Sequence, residues 1–589
     1  MTVRPIACIM KAQKDFRAER SVVAIQAKTS AVLCALNSQF VHTNLAVRSI
    51  KAYADAHCSR VSCTICEHTV NEPAETIGQA LLAEEPDIVA FSAYIWNITL
   101  VKDLGKRLKA RRPELVIVLA GPEVSYNPET YLCEPWVDYV QCGEGERAMA
   151  LLFDSIASGE PTPSGYGICY SRNGIPHVEP PAVEADLSAL ESPYTSEYLE
   201  AVSGRIAYFE SSRGCPYTCA FCLSGACRGV RFFPMEYVKR SLLALWRSGA
   251  KTVKFIDRTF NADRARADEI LLFLTEHAAA EPRGVCFHFE VAADRLAEST
   301  LSLLERAPRG LFQIEAGLQS FNRHTLDAVS RRTDSDKLCA NVKRLAAAGS
   351  MHLHVDLIAG LPHEDLASFR ESFDKAFALH ATMLQLGFLK LLYGSALREA
   401  ADEYGYVYSS SPPYEIRATR WLSENDMRLL KQVEDACEKI HNSGRFRRAL
   451  RYVLDVTGLR PFDLFLGFGK KEAMPLDDYT ALVYDAFSAL DGVDRAVLRD
   501  KLCCDRLATN ASGRLPPCLK IPDKRLAKAA ALLAACPDTA PPPGARRAVC
   551  LLYTRRTVVF ADYLPGESDK NIAHGGGEYP LRFAELDVF

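Results

Sequence analysis

The sequence predicts an α/β protein with two regions of parallel sheet followed by a mostly helical region. Strand-like apolar runs alternate with amphipathic helical segments between residues 31 and 160, and again between 194 and 415. Such alternation is typical of parallel sheets covered by their crossover helices. After the Pro-rich run SSSPPY at 409–414, helical periodicity takes over. We therefore predict five segments: an N-terminal extension at 1–30, two α/β domains at 31–160 and 194–415 with a linker at 161–193, and a C-terminal domain at 416–589.

The first α/β region predicts a doubly wound, Rossmann-like domain. Strand-like runs at 31–37, 61–67, 87–94, 115–121 and 137–143 are separated by helical segments. Open sheets of this kind bind ligands beyond the carboxyl ends of their strands. Four loops are expected there, with the sequences LNSQFVHTN, FSAYIWN, AGPEVSYNPE and CGEGE.

The second α/β region contains six strand-and-helix units and predicts a partial (β/α)6 barrel of the TIM type. Its strand-like runs are RIAYFES, TVKFID, VCFHFEVAA, FQIEAGLQ, HLHVDLIAGLP and MLQLGFLKLL. Barrels of this type carry their chemistry at the carboxyl ends of the strands. We expect the reactive centre at that end.

Composition excludes several classes of protein. The chain has 589 residues and a net charge of -3, with Lys and Arg scattered, so nucleic-acid binding is not expected. No apolar run has the length of a membrane span, and the start of the sequence lacks the pattern of a signal peptide. The 20 cysteines do not form the dense pattern of a secreted disulfide scaffold. We expect a cytoplasmic protein without a membrane segment.

One cysteine cluster calls for a chemical explanation. The segment ESSRGCPYTCAFCLSG follows a predicted strand and spaces Cys215, Cys219 and Cys222 as C-x3-C-x2-C. Three thiolates on one tight loop can ligate three irons of a 4Fe-4S cluster and leave the fourth iron open for another ligand. A zinc site, with Cys227 as the fourth ligand, and a chance spacing are the alternatives.

This motif, with Phe221 before its last cysteine and a strand before its first, resembles that of the radical SAM superfamily. The resemblance implies that the open iron binds S-adenosylmethionine and that one electron from the cluster cleaves it to a 5′-deoxyadenosyl radical. FIDRTF stands where the family has a Gly-Gly-Glu-like segment, and GLQS and DLIAGLP match two further strand motifs. Polar residues at these strand ends are the candidates for binding the cofactor: Asp257, Glu290, Glu315, Gln319, Asp356 and Gly360.

A Rossmann-like domain directly before such a barrel resembles the cobalamin-binding class of the superfamily. The resemblance covers about residues 31–415 and implies that the corrin lies between the two domains. Its loops give the candidate cobalamin-binding residues Asn37, Ser92, Gly121, Pro122, Glu123, Gly143, Glu144 and Gly145. The glycines would allow close approach of a planar ring. The Asp-x-His-x-x-Gly motif of other cobalamin proteins is absent, so no lower histidine ligand to cobalt is expected, and His42 is more simply a loop hydrogen-bonding residue. A sheet that merely packs on the barrel stays open as an alternative.

Three other motifs have simpler interpretations. HCSRVSCTICEH looks like a metal site, but the alternation of Val61, Cys63 and Ile65 predicts one face of a buried strand. The cysteines near the C-terminus are too loosely spaced to support an auxiliary cluster. HNSGRFRRAL resembles a C-terminal extension of one cobalamin-type subgroup, and the sequence favours a solvated helix face for its arginines, Arg445, Arg447 and Arg448.

The function expected from these features is cobalamin-dependent methylation of an unactivated carbon in a small-molecule or peptide substrate. Rearrangement or cyclisation would use the same cofactors. The predicted partners are the substrate and an electron donor such as flavodoxin or ferredoxin. Two other functions remain open: a radical SAM enzyme without cobalamin, and a non-catalytic iron-sulfur regulator.

Overall fold

A computed structural model describes residues 28–226, 229–282, 284–521, 523–554, 556–565 and 578–585. Most of the predicted N-terminal extension, residues 1–27, lies outside the described residues. The same holds for Cys227, the candidate fourth ligand of a zinc site.

The first domain is an open, twisted sheet with helices on both faces. Its strands are β1 Thr29–Asn37, β2 Val61–Thr69, β3 Ile88–Ser92, β4 Val116–Ala120, β5 Tyr139–Gln141, β6 Ile168–Arg172 and β7 Ile175–His177. Its helices are α1 Leu45–His57, α2 Ala74–Ala83, α3 Ile98–Arg111, α4 Pro128–Leu132 and α5 Glu146–Ser158. The strand order is β2-β1-β3-β4-β5-β6-β7, and β1 to β5 run parallel. The predicted Rossmann-like architecture is confirmed.

Alternate residues of β1 enter two separate apolar cores. Val32 and Cys34 belong to the core on one face, whereas Ala31 and Leu33 belong to the core on the other. A parallel sheet needs apolar residues on both faces because helices cover both. This explains the nearly continuous apolar run that begins at residue 31.

The predicted linker departs from the expectation of a plain connector. Within residues 161–193, β6 pairs antiparallel with β5 and then turns back into β7, so the segment extends the first sheet by a hairpin. Glu179 fixes the approach to this hairpin, because its carboxylate accepts backbone N–H groups from Gly165 to Ile168. Short strands rich in Gly and Pro carry too little periodicity to be recognised in a sequence.

The second domain is the predicted six-stranded partial barrel. Its strands are β8 Ile206–Phe209, β11 Thr252–Phe255, β12 Cys286–Val291, β13 Phe312–Gln319, β14 His352–Ala359 and β15 Met383–Phe388, and between β8 and β11 lies a ribbon of β9 Ser212–Cys215 and β10 Gly229–Phe232. The helices are α6 Ser196–Ala201, α7 Met235–Arg247, α8 Arg264–His277, α9 Glu298–Arg306, α10 Arg323–Ala328, α11 Ser335–Ala348 and α12 Leu366–Phe377. All six barrel strands are parallel, in the order β8-β11-β12-β13-β14-β15.

The remaining chain is mostly helical and ends in a small sheet. Its helices are α13 Ala396–Glu399, α14 Glu424–Ala436, α15 Arg447–Thr457, α16 Pro461–Phe468, α17 Leu476–Ser488, α18 Arg495–Thr509 and α19 Arg525–Ala535. Its strands are β16 Val407–Tyr408, β17 Ile416–Ala418, β18 Arg546–Leu552, β19 Thr557–Tyr563 and β20 Arg582–Glu585. Among the described residues, none of the helices combines the length and apolarity needed to cross a membrane.

The C-terminal region covers the open edge of the barrel. A π-helical segment, Cys437–Asn442, follows α14 and packs against the edge strand β15. The Asn442 side chain accepts the N–H of Leu384 at 2.9 Å and donates to its carbonyl, also at 2.9 Å. This side-chain amide substitutes for a seventh strand, because unpaired backbone groups at a buried edge are costly.

Candidate active site

The three motif cysteines lie on a loop held by the β9–β10 ribbon. Cys215 ends β9 and pairs with Gly229 at the start of β10. Gly214 has a φ of +93°, and a Cβ there would lie 2.1 Å from the Gly229 carbonyl oxygen. Glycine is therefore required for the ribbon to close the loop.

Contacts from other barrel loops fix this cysteine loop. The N–H of Ala220 donates to the Val329 carbonyl at 2.9 Å, and the Ala220 carbonyl accepts from Leu397 at 3.0 Å. Cys215 Sγ lies 3.6 Å from the Thr259 hydroxyl, and Arg331 Nη1 donates to Cys219 Sγ at 3.8 Å. The loop is thus anchored to several barrel elements.

The electrostatics of the loop suit a metal cluster. Burial raises the pKa of the Cys219 thiol, and the nearby charges of Cys222 and Cys215 raise it further, while Arg331 lowers it. All three thiols are free of disulfides. Three sulfur donors on one loop, with Arg331 beside Cys219, fit a cluster that binds thiolates and carries negative charge. The donor set therefore fits a 4Fe-4S cluster.

The buried Asp257 side chain binds the residues at the start of the ribbon that carries the cysteine loop. It is 1% exposed, and its carboxylate accepts the Ser211 N–H at 3.0 Å, the Ser211 hydroxyl at 2.8 Å and the Ser212 hydroxyl. Burial raises the pKa of this carboxyl, and the hydrogen bonds from Ser211 and Ser212 lower it. These contacts favour a positioning role at the start of the ribbon. Its predicted contact with S-adenosylmethionine stays a prediction.

Ion pairs join the first domain to the same ribbon. Arg213 donates to Glu144 at 3.0 Å, to Glu146 at 2.5 Å and to Glu210 at 3.0 Å. Arg231, its cross-strand partner, donates to Glu144 at 2.5 Å. We call these five residues the interdomain clasp. The acidic residues of CGEGE thus contact the cysteine ribbon, which the sequence did not predict.

The glycines of the first domain are crowded by the protein's own backbone. A Cβ at Gly121 would lie 2.5 Å from the Ala93 carbonyl oxygen, and one at Gly143 would lie 2.3 Å from that of Ala182. At Gly145 a Cβ would lie 3.1 Å from the Gln141 side chain. These contacts account for the glycines without a planar ring. Their binding of cobalamin remains a prediction.

The other predicted cobalamin-binding residues lie in the loops at the carboxyl ends of the strands. Asn37 donates to the His42 carbonyl and to Glu67, and the Ser92 hydroxyl accepts from Asn44 at 3.0 Å. Pro122 is exposed at the rim. These loops face the barrel, since Nδ1 of His42 lies 2.7 Å from the Tyr208 hydroxyl of β8. The expectation of a hydrogen-bonding role for His42 agrees with this contact.

Glu123 connects the first domain to the chain beyond the barrel. Its Oε1 accepts from Tyr131 at 3.2 Å and from Tyr414 at 2.5 Å. Burial raises the pKa of this carboxyl, and the two tyrosine hydroxyls lower it. Gly360 likewise faces that region, because a Cβ there would meet Ile416 at 1.9 Å. Glu123 and Gly360 therefore both contact the chain that follows the barrel strands, and a single sequence does not reveal such contacts.

The inner wall of the barrel is polar. The strand register aligns polar residues in two layers. The first layer contains Tyr208, Lys254, His288, Gln313 and His352, and the next layer contains Glu290, Glu315 and His354. The interior of such barrels is ordinarily filled by branched apolar side chains. Polar residues in two successive layers therefore mark a functional interior.

Charges in this wall shift one another's pKa values. Burial raises the pKa of Glu290 to about 7, and the charge of Glu315 adds to the rise. Burial alone would raise the pKa of Glu315 as well. A 2.9 Å hydrogen bond from His288 and the charges of Lys254 and His354 instead lower that pKa to about 2. Glu290 and Glu315 lie opposite each other in β12 and β13. Of these two neighbouring buried acids, Glu315 is stabilised as a carboxylate and Glu290 is not.

Gln319 lies higher in the barrel, at the last position of β13, with a φ of +73°. Asp356 lies lower, three positions before the end of β14. Burial raises its pKa, and His354 lowers it. Of the predicted S-adenosylmethionine contacts, Gln319 ends its strand, and Glu290 and Gly360 lie one position from the ends of β12 and β14. All of the predicted contacts stay predictions.

Two other motifs have structural roles. Val61 and Cys63 are buried in β2, as their alternation predicts. The expectation of a solvated face for Arg445, Arg447 and Arg448 is wrong for Arg448, which lies 3.2 Å from Asp505, a residue that is 1% exposed. The same carboxylate accepts the N–H groups of Arg448 and Ala449, because the start of α15 needs acceptors for its free N–H groups.

Three sequence profiles match the chain. Residues 32–153 match the B12 binding domain, residues 209–376 match the radical SAM superfamily, and residues 402–531 match a protein of unknown function, DUF4080. The first two ranges contain the four rim loops and the three motif cysteines.

Similar proteins include the cobalamin-dependent radical SAM methyltransferase TokK of Streptomyces tokunonensis, 27% identical over 49% of this chain and 44% of TokK. The 2-(S-pantetheinyl)-carbapenam-3-carboxylate methyltransferase of Streptantibioticus cattleyicolor is 28% identical over the same shares of the two chains. This chain therefore spans less than half the length of these two relatives.

Among solved structures, the cobalamin-dependent S-adenosylmethionine radical enzyme OxsB, with aqua-cobalamin and S-adenosylmethionine bound, superposes with a TM-score of 0.56 at 15% identity. The match covers 81% of this chain and 79% of OxsB. The radical S-adenosylmethionine methyltransferase TsrM from Kitasatospora setae gives a TM-score of 0.53 at 17% identity, covering 65% of this chain and 76% of TsrM. These likenesses concern the fold. The B12-binding and radical SAM domains matched in one chain, with the methyltransferase relatives, support its place in the cobalamin-binding class of the radical SAM superfamily.

Proposed function

We propose that this chain is a cobalamin-dependent radical SAM methyltransferase acting on an unactivated carbon of a small-molecule or peptide substrate. The observation that carries the proposal is the cysteine ribbon, which presents three thiols at the barrel and is held by acidic residues of the B12-binding domain. When bound, the cluster and S-adenosylmethionine would supply a carbon-centred radical, and methylcobalamin the methyl group.

The chain's own residues would position these groups. Cys215, Cys219 and Cys222 would hold the cluster, with Asp257 and the interdomain clasp fixing the ribbon that carries them. The rim loops that begin at or near Asn37, Ser92, Gly121 and Gly143 would hold the corrin against the barrel. Glu290 and Gln319 would bind S-adenosylmethionine. Flavodoxin or ferredoxin would deliver the electron, and the polar barrel wall would receive the substrate.

Anaerobic reconstitution with iron, sulfide and hydroxocobalamin tests this proposal. With dithionite and S-adenosylmethionine carrying a deuterated methyl group, the wild-type protein should bind corrin and form 5′-deoxyadenosine. Cys215→Ala should lose the cluster absorption and 5′-deoxyadenosine together. Cys286→Ala, which removes a thiol of β12 outside the loop, should retain both.

Each failure has a distinct meaning. A normal cluster in Cys215→Ala would overturn the ligand assignment. Formation of 5′-deoxyadenosine without corrin binding would overturn the role of cobalamin. Absence of S-adenosylmethionine cleavage by a protein with a full cluster would favour a regulator. With substrate, a product lacking the deuterated methyl group would overturn methyl transfer.

A further inference from the structure

A group of potential metal ligands lies inside the barrel, below the strand ends. Glu315, His354 and Asp356 each offer one ligand atom, and these atoms lie within 4.8 Å of one another. Glu315 precedes the end of β13 by four positions and Asp356 precedes the end of β14 by three, which at about 3.3 Å per residue places them roughly 10–13 Å below the mouth. The group is therefore separate in sequence and depth from the cysteine loop.

Two atoms of this group lack the hydrogen bonds that buried polar atoms normally make. His354 Nε2 lies 2.9 Å from Asp356 Oδ1, at ion-pair distance but outside good hydrogen-bond geometry, and neither atom has a hydrogen-bond partner elsewhere in the described structure. The His354 side chain is only 8% exposed. Two ligand atoms bound at about 2.1 Å to one ion at a right angle lie about 3 Å apart. The spacing thus fits a shared ion.

The surroundings also fit a cation. The carboxylates of Glu290, Glu315 and Asp356 face this part of the lumen, and Lys254, 3.7 Å from Glu315, supplies one positive charge. His288 lies at hydrogen-bond distance from Glu315, 2.9 Å. Such a bond to a ligating carboxylate is the usual outer support of a metal ligand.

We infer that Glu315, His354 and Asp356 form a binding site for one divalent transition-metal ion, either Mn²⁺, Fe²⁺ or Zn²⁺. One imidazole nitrogen with two carboxylate oxygens suits these ions better than Mg²⁺ or Ca²⁺, which prefer oxygen alone. The site is additional to the iron-sulfur cluster and cobalamin, and it does not depend on the reaction proposed above.

Mn²⁺ is a suitable probe because its signal is distinct from that of iron in the cluster. Anaerobically purified holoenzyme, freed of loosely bound metal, is titrated with MnCl2 and followed by EPR. We expect one Mn²⁺ bound per chain, displaced by Zn²⁺, which binds such donors more tightly. Pulsed EPR of the bound ion should show coupling to the nitrogen of a single histidine.

Variants separate this site from the cluster. Glu315→Gln and Asp356→Asn should each weaken Mn²⁺ binding at least tenfold, and His354→Gln should abolish the nitrogen coupling. His352→Gln, which changes another buried histidine of β14, should bind Mn²⁺ normally. Cys215→Ala should also bind Mn²⁺ normally even though it lacks the cluster, so failure of the proposed function leaves this test intact.

The inference is overturned if wild-type holoenzyme binds Mn²⁺ only at millimolar concentration, as scattered surface carboxylates do. It is equally overturned if the bound ion shows no histidine nitrogen coupling, or if two of the three variants retain wild-type affinity. Should a variant fail to fold, the nitrogen coupling of the wild-type protein alone decides.

Discussion

The two parallel sheets of this protein place polar residues in opposite ways. In the first domain the central strands β1, β3 and β4 contribute apolar residues to both faces, and polar residues such as Asn37 and Ser92 stand where β1 and β3 end. In the barrel the inner face of the strands is itself polar, as at Lys254, His288 and Glu315. The difference indicates that the first domain works through its rim loops, whereas the barrel also works through its interior.

The interdomain clasp joins these two regions, so breaking it should have the largest effect. Arg213→Met would leave Glu144, Glu146 and Glu210 without their shared partner, and Arg213 is 12% exposed at its side chain. Loss of one partner in a buried ion pair costs about 3–5 kcal/mol. In urea denaturation, we expect the free energy of the transition that reports separation of the two domains to fall by that amount.

The matched control is Arg323→Met, because this side chain is 79% exposed and pairs with an exposed aspartate. Exposed pairs contribute about 0.2–1 kcal/mol. Equal losses in the two variants would show that the clasp is only a surface contact.

The apolar sheet can be tested at its centre. Leu33→Ala removes a side chain that is 1% exposed, in the core between β1 and its covering helices. Such a truncation costs about 2–5 kcal/mol. Phe40→Ala, in the rim loop and 75% exposed, should change the free energy of unfolding by no more than about 0.5 kcal/mol. A comparable loss at Phe40 would contradict the division between strands and loops.

The sequence predicted the elements better than the contacts between them. Period and length located the parallel strands of both sheets, and the spacing of Cys215, Cys219 and Cys222 predicted the reactive loop. The acidic residues of CGEGE and the arginine in SRGC were both visible, but their pairing depends on how two domains meet. One sequence carries no record of a contact across 67 positions, such as Arg213 with Glu146.

The roles of the glycines and the polar barrel wall were harder to predict from the sequence, because they too depend on contacts between distant residues. Gly121 and Gly143 are crowded by Ala93 and Ala182, backbone neighbours that become apparent only when the sheet is folded. Glu290, Glu315 and His354 lie in adjacent strands, and only the strand register aligns them as one layer. The alternation of polar and apolar residues in FHFEV and HLHVD was the available signal.

The covered edge of the barrel offers a smaller, local test. Asn442→Ala would leave the N–H of Leu384 in β15 without its partner, and would leave the Leu384 carbonyl with only the Cys437 thiol, at 3.6 Å. Each unsatisfied buried group costs about 1–3 kcal/mol. Unfolding free energy and hydrogen exchange of the Leu384 amide should both report the loss. Unchanged exchange at Leu384 in the alanine variant would exclude this role of the amide.

The smallest expected effect depends on pH and concerns the polar wall itself. Burial raises the pKa of Glu290 from its ordinary value of 4.5 to about 7, with Glu315 adding to the rise and Lys254 and Arg258 opposing it. Because the folded pKa lies above the unfolded one, the stability that this group contributes is complete below pH 4.5 and is lost as pH rises to 7.

Glu290→Gln keeps the shape of the protonated acid but cannot ionise. Relative to wild type, the variant should therefore gain stability as the pH rises from 4.5 towards 7, by about 2 kcal/mol at pH 6. The difference in unfolding free energy, measured at several pH values, checks this. Glu276→Gln, at an exposed position of α8, is the control, and the same trend in both variants would contradict an origin in the lumen wall. A flat difference for Glu290 would mean that water or a bound cation already stabilises its charge, and that the barrel interior is more polar than its protein groups alone make it.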